Sequence, residues 1–329
     1  MATDTQTNNE VVLEVQDLRT YFSTKWGTVK AVDGVSFTLR RGEVLGIVGE
    51  SGSGKSVTML SLMRLIPTPP GQIVGGSIIL EGEDLVHLPE NQMSKLRGSK
   101  IALIIQDPMT SLNPVFSIGN QVSEAIRIHQ DIPRKSVKER ALEMLRKVNI
   151  PAAETRMRDY PHQMSGGMRQ RVVGAISISC EPSVLIADEP TTSLDVTIQA
   201  QYLKLLRELQ KESNMALIFI THDFGIVAKM CDNVAVMYAG KIVEFGSVRD
   251  IFNHPSHPYT EALLASVPKL EEDVERLYSI EGQPPLLHDL PPGCPFAPRC
   301  QYVMEQCREE YPPELTVDAG HTASCWRLA

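Results

Sequence analysis

Gly49-Glu50-Ser51-Gly52-Ser53-Gly54-Lys55-Ser56 fits the pattern G-x-x-x-x-G-K-[ST], which wraps phosphate oxygens when a strand precedes it and a helix follows. Both neighbours meet that condition. Val44-Leu45-Gly46-Ile47-Val48 is a short apolar run of the kind that strands buried on both faces show, and Ser56 to Ile66 carries no breaker before Pro67. The glycines let successive N–H groups converge on an anion. The helix that follows turns its positive end toward the same point. Gly49, Ser51, Gly52, Gly54, Lys55 and Ser56 are therefore the expected phosphate contacts, with Lys55 on the β- and γ-phosphates and the Ser56 hydroxyl on Mg²⁺. The competing reading, a Gly/Ser turn with an incidental lysine, has no use for the flanking strand and helix. The expected ligand is a nucleoside triphosphate.

With 329 residues the chain is long enough for two domains. Its 42% hydrophobic and 22% charged content is that of a soluble globular protein. The formal net charge of −8 argues against nucleic acid and against an anionic membrane surface as partners. No apolar run approaches the ~20 residues that span a bilayer. Met1 to Glu10 is polar and lacks the apolar segment of a signal peptide. The expected compartment is the cytosol, where thiols stay reduced. Of six cysteines, Cys180 and Cys231 stand alone in apolar surroundings as core candidates. The other four crowd into the last 36 residues.

Outward from the loop, Val11–Val15 and the alternating Val32–Leu39 read as strands, with a turn around Lys25-Trp26-Gly27 between them. An aromatic about 30 residues before the lysine could stack on an adenine; Phe22 is the first candidate and Tyr21 the second, against ordinary packing at a strand end. Pro67 to Gly76 reads as a connection rich in breakers, followed by a strand over Ser77–Leu80. Lys100–Ile105 is another buried strand, ending on Gln106. From Ile118 to about Pro161 the pattern turns helical, and Val137, Ala141, Leu145 and Val148 form one apolar stripe. Ser165-Gly166-Gly167 opens a helix and makes a second anion site. Val184–Ala187 is a strand ending on Asp188-Glu189, at the end where parallel α/β sheets bind ligands. Asp188 suits Mg²⁺, and Glu189 suits the orientation or deprotonation of a water. Ser193-Leu194-Asp195 starts a helix whose inner face carries Ile198, Tyr202, Leu205 and Leu209. His222 follows a further buried strand, either as a structural residue or as a donor to the γ-phosphate.

In this order these residues resemble the ATP-binding subunits of ABC transporters. The set is the loop 49–56, Gln106, the signature 165–167, Asp188-Glu189, Asp195 and His222, and the resemblance covers about residues 11–250. It implies an α/β P-loop NTPase cassette with a RecA-like parallel-sheet core, an antiparallel β subdomain, a helical subdomain at about 107–180 and a small Cys-rich C-terminal extension at 251–329. One departure is visible: Met164 and Met168 flank the signature where the family more often has Leu and Gln. The resemblance implies that ATP is shared between two subunits, the signature of one closing on the loop of the other. Glu189 and His222 would then be catalytic, and Gln106 would link Mg²⁺ and the lytic water to the helical block and the permease.

His254 to Leu264 looks like the extension found in dipeptide, oligopeptide and nickel importers, where two different ATPase subunits usually pair. That implies a paralogous partner in a heterodimer, two transmembrane permease subunits, an extracytoplasmic solute-binding protein and a peripheral place on the cytoplasmic face of the membrane. The alternatives are nickel or another small solute, and a soluble ABC ATPase acting on DNA or ribosomes. Against the last, only 58 residues separate Gln106 from Ser165, leaving no room for a long coiled coil, and there is a single phosphate loop.

The tail reads Cys294-x5-Cys300-x6-Cys307-x17-Cys325. Disulfides are disfavoured in a reducing compartment. Zinc sites usually show tighter Cys pairs, although His321 could replace one thiolate. Wide, unequal gaps suit a [4Fe–4S] cluster, and the resembled peptide-importer ATPases carry such a tail around one. The cluster is the expectation and zinc its alternative.

Overall fold

The computed structural model describes residues 10–192, 194–267 and 278–329, apart from the side chains of Pro108 and Met109. Ser193 and the polar N-terminal residues 1–9 lie outside the described residues. The strands are β1 Val11–Thr24, β2 Gly27–Arg40, β3 Val44–Val48, β4 Gly71–Leu80, β5 Glu83–Asp84, β6 Ile101–Ile104, β7 Val184–Asp188, β8 Ala216–Ile220, β9 Asn233–Tyr238, β10 Lys241–Ser247, β11 Leu315–Asp318 and β12 His321–Ala323. The chain divides into two compact units. The first comprises the described residues of 1–12, 39–43 and 87–219, the second those of 13–38, 44–86 and 220–329. The tail therefore belongs to the unit that carries the phosphate loop.

In the first unit, β6 and β7 run parallel, from Ile101 opposite Val184 to Ile104 opposite Ala187, and the strand order is β8-β7-β6. Every residue of β7 is buried, which is why its sequence is an unbroken apolar run rather than an alternation. The expected helical stretch after Ile118 is broken by Pro133 and Pro151 into helices Ile118–His129, Arg134–Lys147 and Ala153–Arg156. The stripe of Val137, Ala141, Leu145 and Val148 is buried, as are Tyr202, Leu205 and Leu209 of helix Val196–Ser213. Ile198, expected beside them, is half-buried.

In the second unit, an antiparallel sheet has the order β2-β1-β4-β5, and a further set of strands has the order β11-β12-β10-β9-β3. Strand β3 is wholly buried and parallel to β9. Cys231 packs so closely on it that a Cβ at Gly46 would lie 2.9 Å from the Cys231 Sγ. One expectation changes here, and the tail adds a finding of its own. The connection from Pro67 to Gly76 is shorter than expected, because β4 begins at Gly71 and pairs with β1 as far as Phe22 opposite Gly71. A glycine there leaves space for the ring; a Cβ would sit 2.6 Å from Phe22 Cε1. The tail, in turn, is not a loop hung on its cysteines. Strand β12 pairs with β10, Glu244 opposite Ala323 and Phe245 opposite Thr322, and so extends the sheet.

Candidate nucleotide site and cysteine pocket

The phosphate loop joins β3 to helix Lys55–Leu62. Two of its glycines are obligatory. Gly49 and Gly54 have φ of 151° and 107°, and a Cβ would meet the Met237 carbonyl oxygen at 2.2 Å or the Ala31 carbonyl oxygen at 2.4 Å. The Lys55 side chain is buried and turned back over the loop. Its Nζ donates to the carbonyls of Gly49 and Glu50 at 2.7 and 2.9 Å and reaches Ser53 Oγ at 3.4 Å. Ser51, Gly52 and Ser56 are exposed around it, the last in the first turn of the helix. His222, in the same unit, is an exposed residue of the loop after β8, where Asp223 caps the next helix through Gly225 and Ile226 N–H. Phe22 is half-buried, its ring against Gly71; the Tyr21 hydroxyl donates to Asp33 Oδ1 at 2.5 Å.

The carboxylates stand in the first unit. Asp188 is buried and is the last residue of β7. Glu189 follows with φ of 42°, a left-handed conformation that costs a non-glycine residue about 1 kcal/mol. The strain is held by contacts on both sides. Gln106 Nε2 donates to Glu189 Oε2 at 2.8 Å, and the Thr192 hydroxyl lies 3.1 Å from Oε2 and 3.2 Å from the Glu189 carbonyl. Thr192 was not singled out from the sequence; its only signal was the polar run after Pro190.

Ser165 is the N-cap of helix Gly166–Ile178, its Oγ accepting from Met168 N–H. Gly166 is exposed with open space where a side chain would be, whereas Gly167 is packed on Ile198. A helix start of this kind presents N–H groups that can receive an anion. Asp195 caps helix Val196–Ser213 through Ile198 N–H at 3.0 Å and is exposed. In the structure it is first a capping residue.

Cys294, Cys300, Cys307 and Cys325 all line one pocket of the second unit, with Phe296 and Trp326 among its apolar walls. The backbone brings the first and third together, Cys294 N–H donating to the Cys307 carbonyl at 2.7 Å. No two of the six cysteines are joined in a disulfide. Burial pushes the Cys294 thiol up to about 11 and also raises Cys300 and Cys325. His321 is not part of this pocket: its Nε2 is 2.8 Å from Glu244 Oε1, and both side chains are buried. The zinc alternative loses its fifth candidate ligand. Among the described residues, no group of three or more His, Cys, Asp or Glu side chains could hold a metal ion. That finding gives no support to a metal in the tail. The four thiols do line one apolar pocket.

His254 is exposed at the C-terminal end of helix Val248–Asn253. His257 is buried and its Nδ1 accepts from Tyr259 N–H, capping helix Pro258–Ala265. Burial, and secondarily Arg327, pushes its imidazole down to about 3. The sign follows directly. Between pH 6.5 and 3 the unfolded chain binds a proton that the folded one refuses, so stability rises with pH across that window and is lost on acidification, by at most about 1.4 kcal/mol per unit. His257→Asn, which keeps a capping acceptor, should flatten this limb in denaturant titrations between pH 7 and 4.

The fold and both sets of residues define an ATP-binding cassette. It superposes on the dimeric post-hydrolysis structure of an ATP-binding cassette with ADP and phosphate, at a TM-score of 0.64 and 22% identity, covering 72% of this chain and 99% of that one. On cbiO1 of Clostridium perfringens, part of an ABC transporter complex, the TM-score is 0.63 at 29% identity, over 75% and 92% of the two chains. The ABC transporter profile matches residues 32–192, and the oligopeptide/dipeptide transporter C-terminal region matches residues 243–307. The dipeptide transport ATP-binding protein DppD of Bacillus subtilis is 50% identical over 96% of this chain and 95% of its own length. The oligopeptide transport ATP-binding protein OppD of Salmonella typhimurium is 50% identical over 96% and 94%. The chain belongs to the family of oligopeptide and dipeptide ABC transporter ATP-binding proteins.

Proposed function

We propose that this chain hydrolyses ATP to energise the import of di- or oligopeptides across the cytoplasmic membrane. The observation that carries the reading is the phosphate loop, whose Lys55 ammonium is held by the Gly49 and Glu50 carbonyls and whose Gly49 and Gly54 leave no space for a side chain. Gly49, Ser51, Gly52, Gly54 and Lys55 bind the phosphates, Phe22 stacks on the adenine, and Ser56, Gln106 and Asp188 hold Mg²⁺. Glu189, steadied by Gln106 and Thr192, takes the proton of the attacking water, and His222 donates to the γ-phosphate. Ser165, Gly166, Gly167 and Asp195 serve the nucleotide of a paired subunit. The cassette is taken as residues 11–250 and the extension as 251–329.

The same proposal includes a paralogous ATPase, two permease subunits and an extracytoplasmic solute-binding protein as partners. Among the described residues no helix is long and apolar enough to cross a membrane, which agrees with a peripheral place beside such a permease. The names of the relatives favour peptides over nickel as the solute. In the tail, Cys294, Cys300, Cys307 and Cys325 hold a [4Fe–4S] cluster, which when bound would cross-link four points of a small subdomain.

Two substitutions test the shared site. Lys55→Ala should weaken ATP binding by the isolated chain at least tenfold, since it removes a charged partner of the phosphates. Ser165→Ala should leave isolated-chain affinity unchanged and impair hydrolysis only in the assembled pair. Equal losses of isolated-chain affinity in both variants would rule out sharing.

A further inference from the structure

Glu50 puts a carboxylate inside a loop that must accept a polyanion. The structure answers that charge from 249 residues along the chain. Arg299 grips it with a two-pronged pair, Nη1 to Oε2 at 2.6 Å and Nη2 to Oε1 at 2.9 Å. The Arg299 side chain is 4% exposed and that of Glu50 27%. The remaining donors of the guanidinium are occupied as well, Nε on the Glu281 carbonyl at 3.0 Å and Nη1 also 3.3 Å from the Tyr238 hydroxyl. The backbone of Glu50 is held separately: its N–H donates to the buried Tyr259 hydroxyl at 2.8 Å. Tyr238, Tyr259 and Phe296 pack against one another with ring centroids 4.5–5.4 Å apart. Arg299 thus stands on a rigid base, in the single turn Ala297–Arg299 just before Cys300.

We propose that Arg299 is a positioning residue for nucleotide binding, which cancels the charge of Glu50 and fixes the loop in the shape that accepts ATP. The proposal rests on the loop being the ATP site. A forked guanidinium–carboxylate pair is among the strongest polar contacts available, and its removal leaves a half-buried carboxylate without a counter-charge. Here that carboxylate would face a triphosphate. A lysine cannot replace the fork, because an ammonium is a single point of charge.

The test uses the purified full-length chain and the assembled transporter, with MgATP as the probe. Arg299→Gln should raise the Kd for MgATP about tenfold, as expected for one partly buried charge left unpaired. Arg299→Lys should fall between. The double variant Glu50→Gln with Arg299→Gln should recover most of the lost affinity, because the offending charge is gone. Because a purely structural pair would also be relieved in the double variant, the split between KM and kcat separates positioning from a structural role. In the transporter, Arg299→Gln should raise KM for ATP and leave kcat within about twofold. An unchanged Kd in Arg299→Gln, or a double variant no better than the single, overturns the proposal. Wild-type affinity in Lys55→Ala would instead overturn the loop as the ATP site, whatever Arg299 does.

Discussion

Replacing Glu189 by Gln is expected to slow ATP hydrolysis by about 10²–10⁴-fold, the range for loss of a positioned general base, while ATP binding stays intact. The substitution removes basicity and little else. A glutamine at this position keeps the size of the side chain and an oxygen able to accept from Gln106 Nε2 and the Thr192 hydroxyl, which both hold the native carboxylate. The transporter should therefore be trapped with nucleotide bound rather than lose it. Single-turnover hydrolysis and retained nucleotide after gel filtration read the two effects apart. Turnover above about a tenth of the wild-type value would assign the base to another residue. Thr192→Ala should give a smaller loss, because it frees the carboxylate without neutralising it.

The second large effect belongs to the tail. Purified without oxygen, the protein should be brown and carry roughly four iron atoms and four acid-labile sulfides per chain. Cys300→Ser should remove the colour, since it deletes one of four thiols lining the pocket. Iron chelation of the wild type should loosen the tail, measured as faster proteolysis after residue 278. The loosening should be partial. Strand β12 remains hydrogen-bonded to β10 and His321 to buried Glu244, so the subdomain would not depend on a cluster alone. One zinc per chain with no labile sulfide would overturn the cluster.

What could be read from residues alone follows the range of the interactions involved. The loop 49–56, β3, β7 and the caps at Ser165 and Asp195 were legible because each is built by neighbours in sequence, through turn glycines, apolar runs and capping side chains. The apolar stripe of helix Arg134–Lys147 was legible for the same reason. Strand β4 was read too short because its first half is decided by β1, not by its own glycines. Strands β11 and β12 have four and three residues, too few to show a period, and their existence depends on the edge of β10. The grip of Arg299 on Glu50 has no local signature at all. Nothing within ten residues of either one says that a charge in the loop is balanced from the tail.

Lys55 turns nucleotide binding into an exchange. Its ammonium already has two carbonyl acceptors within 2.9 Å, so the loop never offers a naked cation to the solvent. An anion that engages this ammonium competes with both carbonyls. Chloride brings no oxygen to that exchange, and orthophosphate brings four on a single centre. A triphosphate brings several acceptors on one tethered chain, and those that follow the first bind intramolecularly, at high effective concentration. An ammonium already satisfied by two carbonyls would in this way favour ligands that carry several linked anionic groups.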